Sequence, residues 1–142
     1  MKVYIVDDDA ITLVIIANML VERGFTPAYS HSTDPDLITR MEEFEPDLIM
    51  VDIYMPVIDG YGVRNMIKRN PLLWDIPVLA ISSTPEYKDK ENVFDGEFVD
   101  FIQKPIDKER FIRKVRRFCF LGMMSRNTRP HNRGCVHGYN ND

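Results

Sequence analysis

The apolar residues of the chain come in short blocks whose period switches between two values. Val3-Tyr4-Ile5-Val6 is a continuous β-favouring run that stops at Asp7, Asp8 and Asp9, as a strand covered on both faces does. From Ala10 the period becomes helical: Leu13, Ile16, Ala17, Leu20 and Val21 fall on one stripe, and Arg23-Gly24 closes it. Pro27-Ala28-Tyr29-Ser30 reads as a second, edge-like strand. Asp34 is placed to cap a helix with Pro35 in its first turn, running to about Phe44. Leu48-Ile49-Met50-Val51 repeats the first strand's pattern and stops at Asp52, and Val63 to Arg69 is a short helix closed by Asn70-Pro71. Pro77 to Ile81 and Phe98 to Ile102 supply a fourth and a fifth strand. Asp107 can cap a last helix with Phe111, Ile112, Val115, Phe118 and Cys119 toward the core. Lys108, Arg110, Arg113, Lys114, Arg116 and Arg117 then face water.

Strands alternating with helices predict βα units and a parallel sheet covered on both faces. Five such units fit an α/β, flavodoxin-like, doubly wound five-stranded parallel sheet of order 2-1-3-4-5, whose site lies beyond the carboxyl ends of the strands. The helix expected before the fifth strand is weak. Pro85 opens that segment, and Asp95 and Gly96 loosen its end.

Composition narrows the classes. A chain of 142 residues with 44% hydrophobic and 28% charged residues has the size and make-up of one globular domain. Two cysteines, Cys119 and Cys135, cannot form a disulfide scaffold and suit a reducing, cytoplasmic setting. The longest apolar stretch, Ala10 to Val21, is broken by Thr12 and Asn18 and falls short of the ~20 residues of a membrane span. No signal-peptide pattern precedes Asp7. Charge is divided unevenly: residues 1–103 hold nineteen acids against eight bases, a net of −11, and residues 104–142 hold three against ten, a net of +7. The acidic part argues against nucleic acid. Residues 122–142, with three glycines, four asparagines and almost no aliphatic side chains, read as a flexible basic tail following a domain of residues 1–121. His131, Cys135 and His137 in that tail are too sparse to make a metal site.

Candidate chemistry gathers at the strand ends. Strand one ends in Asp7-Asp8, strand three in Asp52, strand four in Ser82, and Lys104-Pro105 follows strand five. In a 2-1-3-4-5 sheet these edges adjoin, so three carboxylates, a hydroxyl and an ammonium converge. Clustered carboxylates repel unless a cation sits among them. Hard oxygen donors suit Mg²⁺, which keeps several waters and accepts a phosphoryl oxygen. Lys104 and Ser82 are then phosphate ligands.

In these residues the sequence resembles the receiver domains of two-component response regulators. The resemblance rests on Asp7-Asp8-Asp9 after strand one, Asp52-Ile53-Tyr54-Met55-Pro56-Val57-Ile58-Asp59-Gly60 after strand three, Ser82-Ser83 after strand four, and Lys104-Pro105. It covers roughly residues 1–120.

The resemblance implies a phosphorylation switch. Asp52 is the expected acceptor, taking a phosphoryl group from a sensor histidine kinase or a histidine phosphotransfer protein. Asp8, Asp52 and the backbone carbonyl of Tyr54 are the expected direct Mg²⁺ ligands, with Asp7 holding a metal-bound water. Lys104 is expected on the phosphoryl group, Ser82 as the switch hydroxyl and Phe101 as the aromatic that follows it. Such a protein is not an enzyme beyond its own phosphoryl transfer and hydrolysis. It signals by binding an output protein that the sequence does not name, as a monomer or weak dimer. Hydrolysis is expected to be slow, because Tyr54 and Thr84 flank the approach of water and neither orients it well.

Other readings compete. Asp7-Asp8-Asp9 contains the Asp-x-Asp of haloacid dehalogenase-type phosphatases, although Ile11 stands where such enzymes carry Thr or Val. A receiver fragment of a longer regulator fits the same motifs, as does a degenerate receiver, though intact Asp8, Asp52 and Lys104 argue against degeneracy. Asp9 is expected only to cap the first helix, and Asp59-Gly60 only to make a turn. No DNA-binding domain is expected in this chain after the last helix.

Overall fold

The alternation of apolar residues within each strand decides how the sheet is covered. In a computed structural model, which describes residues 1–83 and 98–128, the strands are β1 (Lys2–Val6), β2 (Thr26–Ser30), β3 (Leu48–Asp52), β4 (Val78–Ser82) and β5 (Asp100–Gln103). The helices are α1 (Ala10–Glu22), α2 (Leu37–Phe44), α3 (Gly60–Lys68) and α4 (Lys108–Thr128). All strand pairings are parallel, in the order β2-β1-β3-β4-β5. This is the expected flavodoxin-like sheet. The helix expected over residues 91–97 lies outside the described residues.

Val3, Ile5, Leu48, Met50, Leu79 and Ile81 point to one face, where they pack with Leu13, Ile16 and Leu20 of α1 and Phe111, Val115 and Phe118 of α4. Tyr4, Val6, Ile49, Val51, Val78 and Ala80 point to the other and pack with Leu37 and Met41 of α2 and Val63 and Ile67 of α3. Each fully buried aliphatic side chain contributes roughly 1.5–3 kcal/mol. Both faces of β3 and β4 are therefore dry, which explains their unbroken apolar runs.

Local signals set most helix ends. Asp9 caps α1, accepting from the Ile11 N–H at 3.1 Å and the Thr12 hydroxyl at 2.6 Å. Gly24, at φ 86°, turns the chain out of α1 into β2. Asp34 does not cap α2. It accepts from the Asp36 N–H at 2.9 Å, forming a turn one step earlier, and the helix begins at Leu37. Val21 sits on the α1 stripe in sequence yet is 59% exposed, because β2 ends the sheet on that side.

α4 runs seven residues past position 121, where the composition placed the end of the domain. The physical reason is a tertiary contact. Gly122 packs on the backbone of Asp47, where a Cβ would lie 1.8 Å from the Asp47 carbonyl oxygen. Beyond it, Arg126 pairs with the Asp47 carboxylate and donates to the Glu45 carbonyl at 2.9 Å. Residues 129–142, including His131, Cys135 and His137, lie outside the described residues.

Candidate functional site

Strand register carries the polar residues to a common level. Val6 pairs with Ser30 and Val51, Asp52 with Ile81, and Ser82 with Gln103. The residues that end or follow these strands therefore meet at the carboxyl edge. Asp7, Asp8 and Asp52 can each place an oxygen so that all three lie within 4.8 Å of one another. Lys104 reaches into the group: its Nζ is 3.2 Å from Asp7 Oδ2 and 3.3 Å from Asp52 Oδ2. Its own backbone N–H donates to the Ser82 carbonyl at 2.7 Å, and the Lys104–Pro105 peptide is cis. Asp7 and Ser82 are fully buried, Asp52 is 5% exposed, and Asp8 stands at the open side.

The electrostatics follow from this crowding. Burial first, and the charge of Asp7 second, raise the Asp52 carboxyl to a pKa of about 6, against the opposing pull of Lys104 and of the Tyr54 N–H at 3.2 Å. Burial disfavours the Lys104 ammonium, but Asp52 and Asp7 outweigh it and hold its pKa above the ordinary lysine value. One ammonium cannot balance three neighbouring carboxylates. A divalent cation with oxygen preference fits the remaining deficit, and exposed Asp8 leaves a side from which it can enter.

The loop between β3 and α3 is shaped around Asp52. The Gly60 N–H donates to the Ile53 carbonyl at 2.8 Å, and Asp59 caps α3 by accepting from the Gly62 N–H at 2.9 Å. Asp59-Gly60 is thus a helix start pressed against the end of β3, not the plain turn that its composition predicts. Val57 takes the left-handed region at φ 70°, with the Ile58 N–H closing onto the Pro56 carbonyl at 2.8 Å. Tyr54, next to Asp52 in this loop, is 49% exposed.

Phe101 lies on the edge strand β5, half-buried against the core. Lys114, expected to face water, turns back to it: the ammonium donates to the Phe101 carbonyl at 2.9 Å, pairs with Asp100 at 3.2 Å and stands 5.5 Å from the Phe101 ring centre. An edge strand has unpaired carbonyls that a lysine stem one layer away can reach. Periodicity alone does not reveal this. A cavity of about 520 Å³ opens beside these residues, lined by Phe101, Lys104, Pro105, Arg110, Phe111 and Lys114 among others. Thr84, expected to flank the approach of water, lies outside the described residues.

Comparison with known proteins agrees with this geometry. The family model for the response regulator receiver domain matches residues 3–116. The polar-differentiation response regulator DivK of Brucella ovis is 28% identical over 117 residues, which are 82% of this chain and 94% of DivK. The DNA-binding dual master transcriptional regulator RpaA of Synechocystis is 36% identical over 74 residues, 52% of this chain but only 31% of RpaA. Among solved structures, a response regulator from Desulfuromonas acetoxidans superposes with a TM-score of 0.74 at 28% identity, covering 84% of this chain and 97% of the other.

Proposed function

The chain belongs to the response regulator receiver domain family, and on that footing we propose that its phosphorylation-dependent switch turns on Asp52. The observation that carries this reading is the single ammonium of Lys104, held between Asp7 and Asp52 at the carboxyl edge of the sheet. Asp52 offers a carboxylate oxygen to the phosphorus of a phosphohistidine. The new O–P bond forms as the P–N bond breaks, and the donor imidazole nitrogen keeps the bonding electrons and takes up a proton. Such a transfer needs positioning and charge neutralisation more than covalent help.

With its pKa near 6, Asp52 is mostly ionised at neutral pH and ready to attack. Lys104 neutralises charge as it builds on the phosphoryl oxygens. Asp8, Asp52 and the Tyr54 carbonyl are the groups we assign to Mg²⁺, with Asp7 reached through a water. When bound, the ion supplies the remaining positive charge for the phosphoryl oxygens. Ser82, buried at the end of β4, is the hydroxyl that reads the added phosphoryl group, and Phe101 is the side chain whose packing changes with it.

The donor is a sensor histidine kinase or a histidine phosphotransfer protein, and α1 supports its docking. Ile11, Val14 and Ile15 are exposed by 71%, 50% and 47% on the helix that starts beside the site. Output is by binding another protein, as a monomer or weak dimer in the cytoplasm; no described helix is long and apolar enough to cross a membrane. The haloacid dehalogenase reading is not favoured. Its Asp-x-Asp would need Asp7 and Asp9 facing one substrate, whereas Asp7 is buried on Lys104 and Asp9 is spent on capping α1.

The reading is tested by adding beryllofluoride, a phosphoryl mimic, and following amide shifts. They should spread from residue 82 to residue 101 in the wild type and stay near Asp52 in Ser82→Ala. Equal spread in both would remove Ser82 from the switch.

A further inference from the structure

The cavity of about 520 Å³ between β5 and the start of α4 has no part in the transfer of a phosphoryl group to Asp52. Its size lies within the ~300–1,000 Å³ of small-molecule sites. Phe111 and Ile102, 1% and 7% exposed, give it an apolar inner lining, and Phe101 and Pro105 extend that lining outward. A ring-sized apolar group entering the cavity would therefore leave water on several sides at once.

The charged residues of the lining differ in what they are free to hold. Lys104 is committed to Asp7 and Asp52. Lys114 pairs with Asp100 at 3.2 Å and donates to the Phe101 carbonyl at 2.9 Å. Asp107 turns to the first turn of α4, accepting from the Arg110 backbone N–H at 3.4 Å. The guanidinium of exposed Arg110 pairs with no carboxylate among the described residues. Arg110 and Lys114 are four residues apart on one helix, so a second cation stands one turn beyond the uncommitted one.

This layout selects a ligand. A cation would meet Arg110 without compensation, and a small inorganic anion would leave the apolar lining unused. A neutral ring would leave the guanidinium unsatisfied, whereas a carboxylate can take two of its N–H donors in parallel. We propose that the cavity between β5 and α4 binds a small aromatic carboxylate, its ring among Phe101, Pro105 and Phe111 and its carboxylate on Arg110. The site shares walls with the Asp52 site at Lys104 and Phe101, and it does not depend on phosphoryl chemistry.

The test titrates the full, isotopically labelled chain with 2-naphthoate at constant ionic strength and follows amide shifts. Naphthalen-2-ylmethylamine offers the same ring with the opposite charge, and acetate offers the carboxylate without a ring. The naphthoate shifts should saturate, with a dissociation constant of about 1 mM or lower, and concentrate at residues 101–114. The amine and acetate should give weaker, unsaturated responses. Arg110→Glu should weaken naphthoate by about tenfold or more, and Arg110→Gln by severalfold. Arg113→Glu alters an exposed residue outside the cavity and should leave the affinity unchanged. All three variants change exposed positions and should unfold at the wild-type urea midpoint. The proposal is overturned by the absence of saturable shifts, or by shifts centred outside residues 101–114. It is equally overturned by an equal response to the amine or acetate, by unchanged affinity in both Arg110 variants, or by an equal loss in Arg113→Glu.

Discussion

Gly60 lies so close to Asp52 that a methyl group on its α-carbon would fall 2.6 Å from the Asp52 carbonyl oxygen and 2.7 Å from the α-carbon of Ile53. The first turn of α3 is thereby pressed onto the end of β3, and the Gly60 N–H fixes the approach by donating to the Ile53 carbonyl at 2.8 Å. The loop that holds Asp52 in place is closed by a glycine because nothing larger fits between two backbones.

Gly60→Ala should therefore push α3 away from β3. The expected cost is about 1–3 kcal/mol of stability, with slower phosphorylation because Asp52 moves with its strand end. Urea unfolding and the initial rate with acetyl phosphate check both parts. A variant that matches the wild type in each would show that the contact yields without strain.

Asp52 titrates near pH 6 in the fold, against about 3.9 in an unfolded chain. The native state therefore binds more protons between these values, so the stability linked to this group is present at low pH and lost as pH rises through 6. In metal-free buffer Asp52→Asn should be more stable than the wild type at pH 8, by about 2 kcal/mol. The advantage should shrink toward pH 4. Urea midpoints at the two pH values measure it, and a constant difference would mean that the carboxylate is not under electrostatic stress.

Asp47, 3% exposed, accepts from the Lys2 N–H at 2.7 Å and pairs with Arg126. Removing the guanidinium strands a buried carboxylate, at a cost of about 1–3 kcal/mol. Arg126→Ala and truncation after Leu121 should both lower the urea midpoint, and truncation after Thr128 should not. An unaffected midpoint in the first two would place residues 122–128 outside the folded unit after all.

Tyr54 is exposed beside Asp52, and its bulky phenol is a poor base for an attacking water at neutral pH. Phospho-Asp52 should decay slowly, and Tyr54→Asn should hasten the decay severalfold, each ~1.4 kcal/mol of better positioning being tenfold in rate. Time courses of intact mass after removal of the phosphodonor give the comparison. Equal or slower decay in the variant removes Tyr54 as the cause.

The strand ends were readable in the sequence because each apolar run stops at a polar residue of the candidate site: Val6 before Asp7, Val51 before Asp52, Ile81 before Ser82. Parallel order then brings these stops together without further information. Other features depend on contacts distant in sequence. Lys114 looks like one more basic residue on a wet helix face, and only the Phe101 carbonyl and the Asp100 carboxylate of strand β5 turn it inward. Gly122 is a poor helix residue by propensity, yet α4 passes through it because a side chain there would collide with Asp47. Asp59 carries its own signal, an aspartate before Gly60-Tyr61-Gly62, but a cap and a turn share that composition.

Asp52, set between Asp7, Asp8 and Lys104, is the proposed acceptor of the phosphoryl group. Intact-mass spectrometry after incubation with acetyl phosphate and Mg²⁺ tests it most directly, with wild type, Asp52→Asn and an EDTA control in parallel. The wild type should gain one phosphoryl group that maps to Asp52, and the variant and the chelated sample should gain none. An adduct of equal yield in Asp52→Asn would contradict the account.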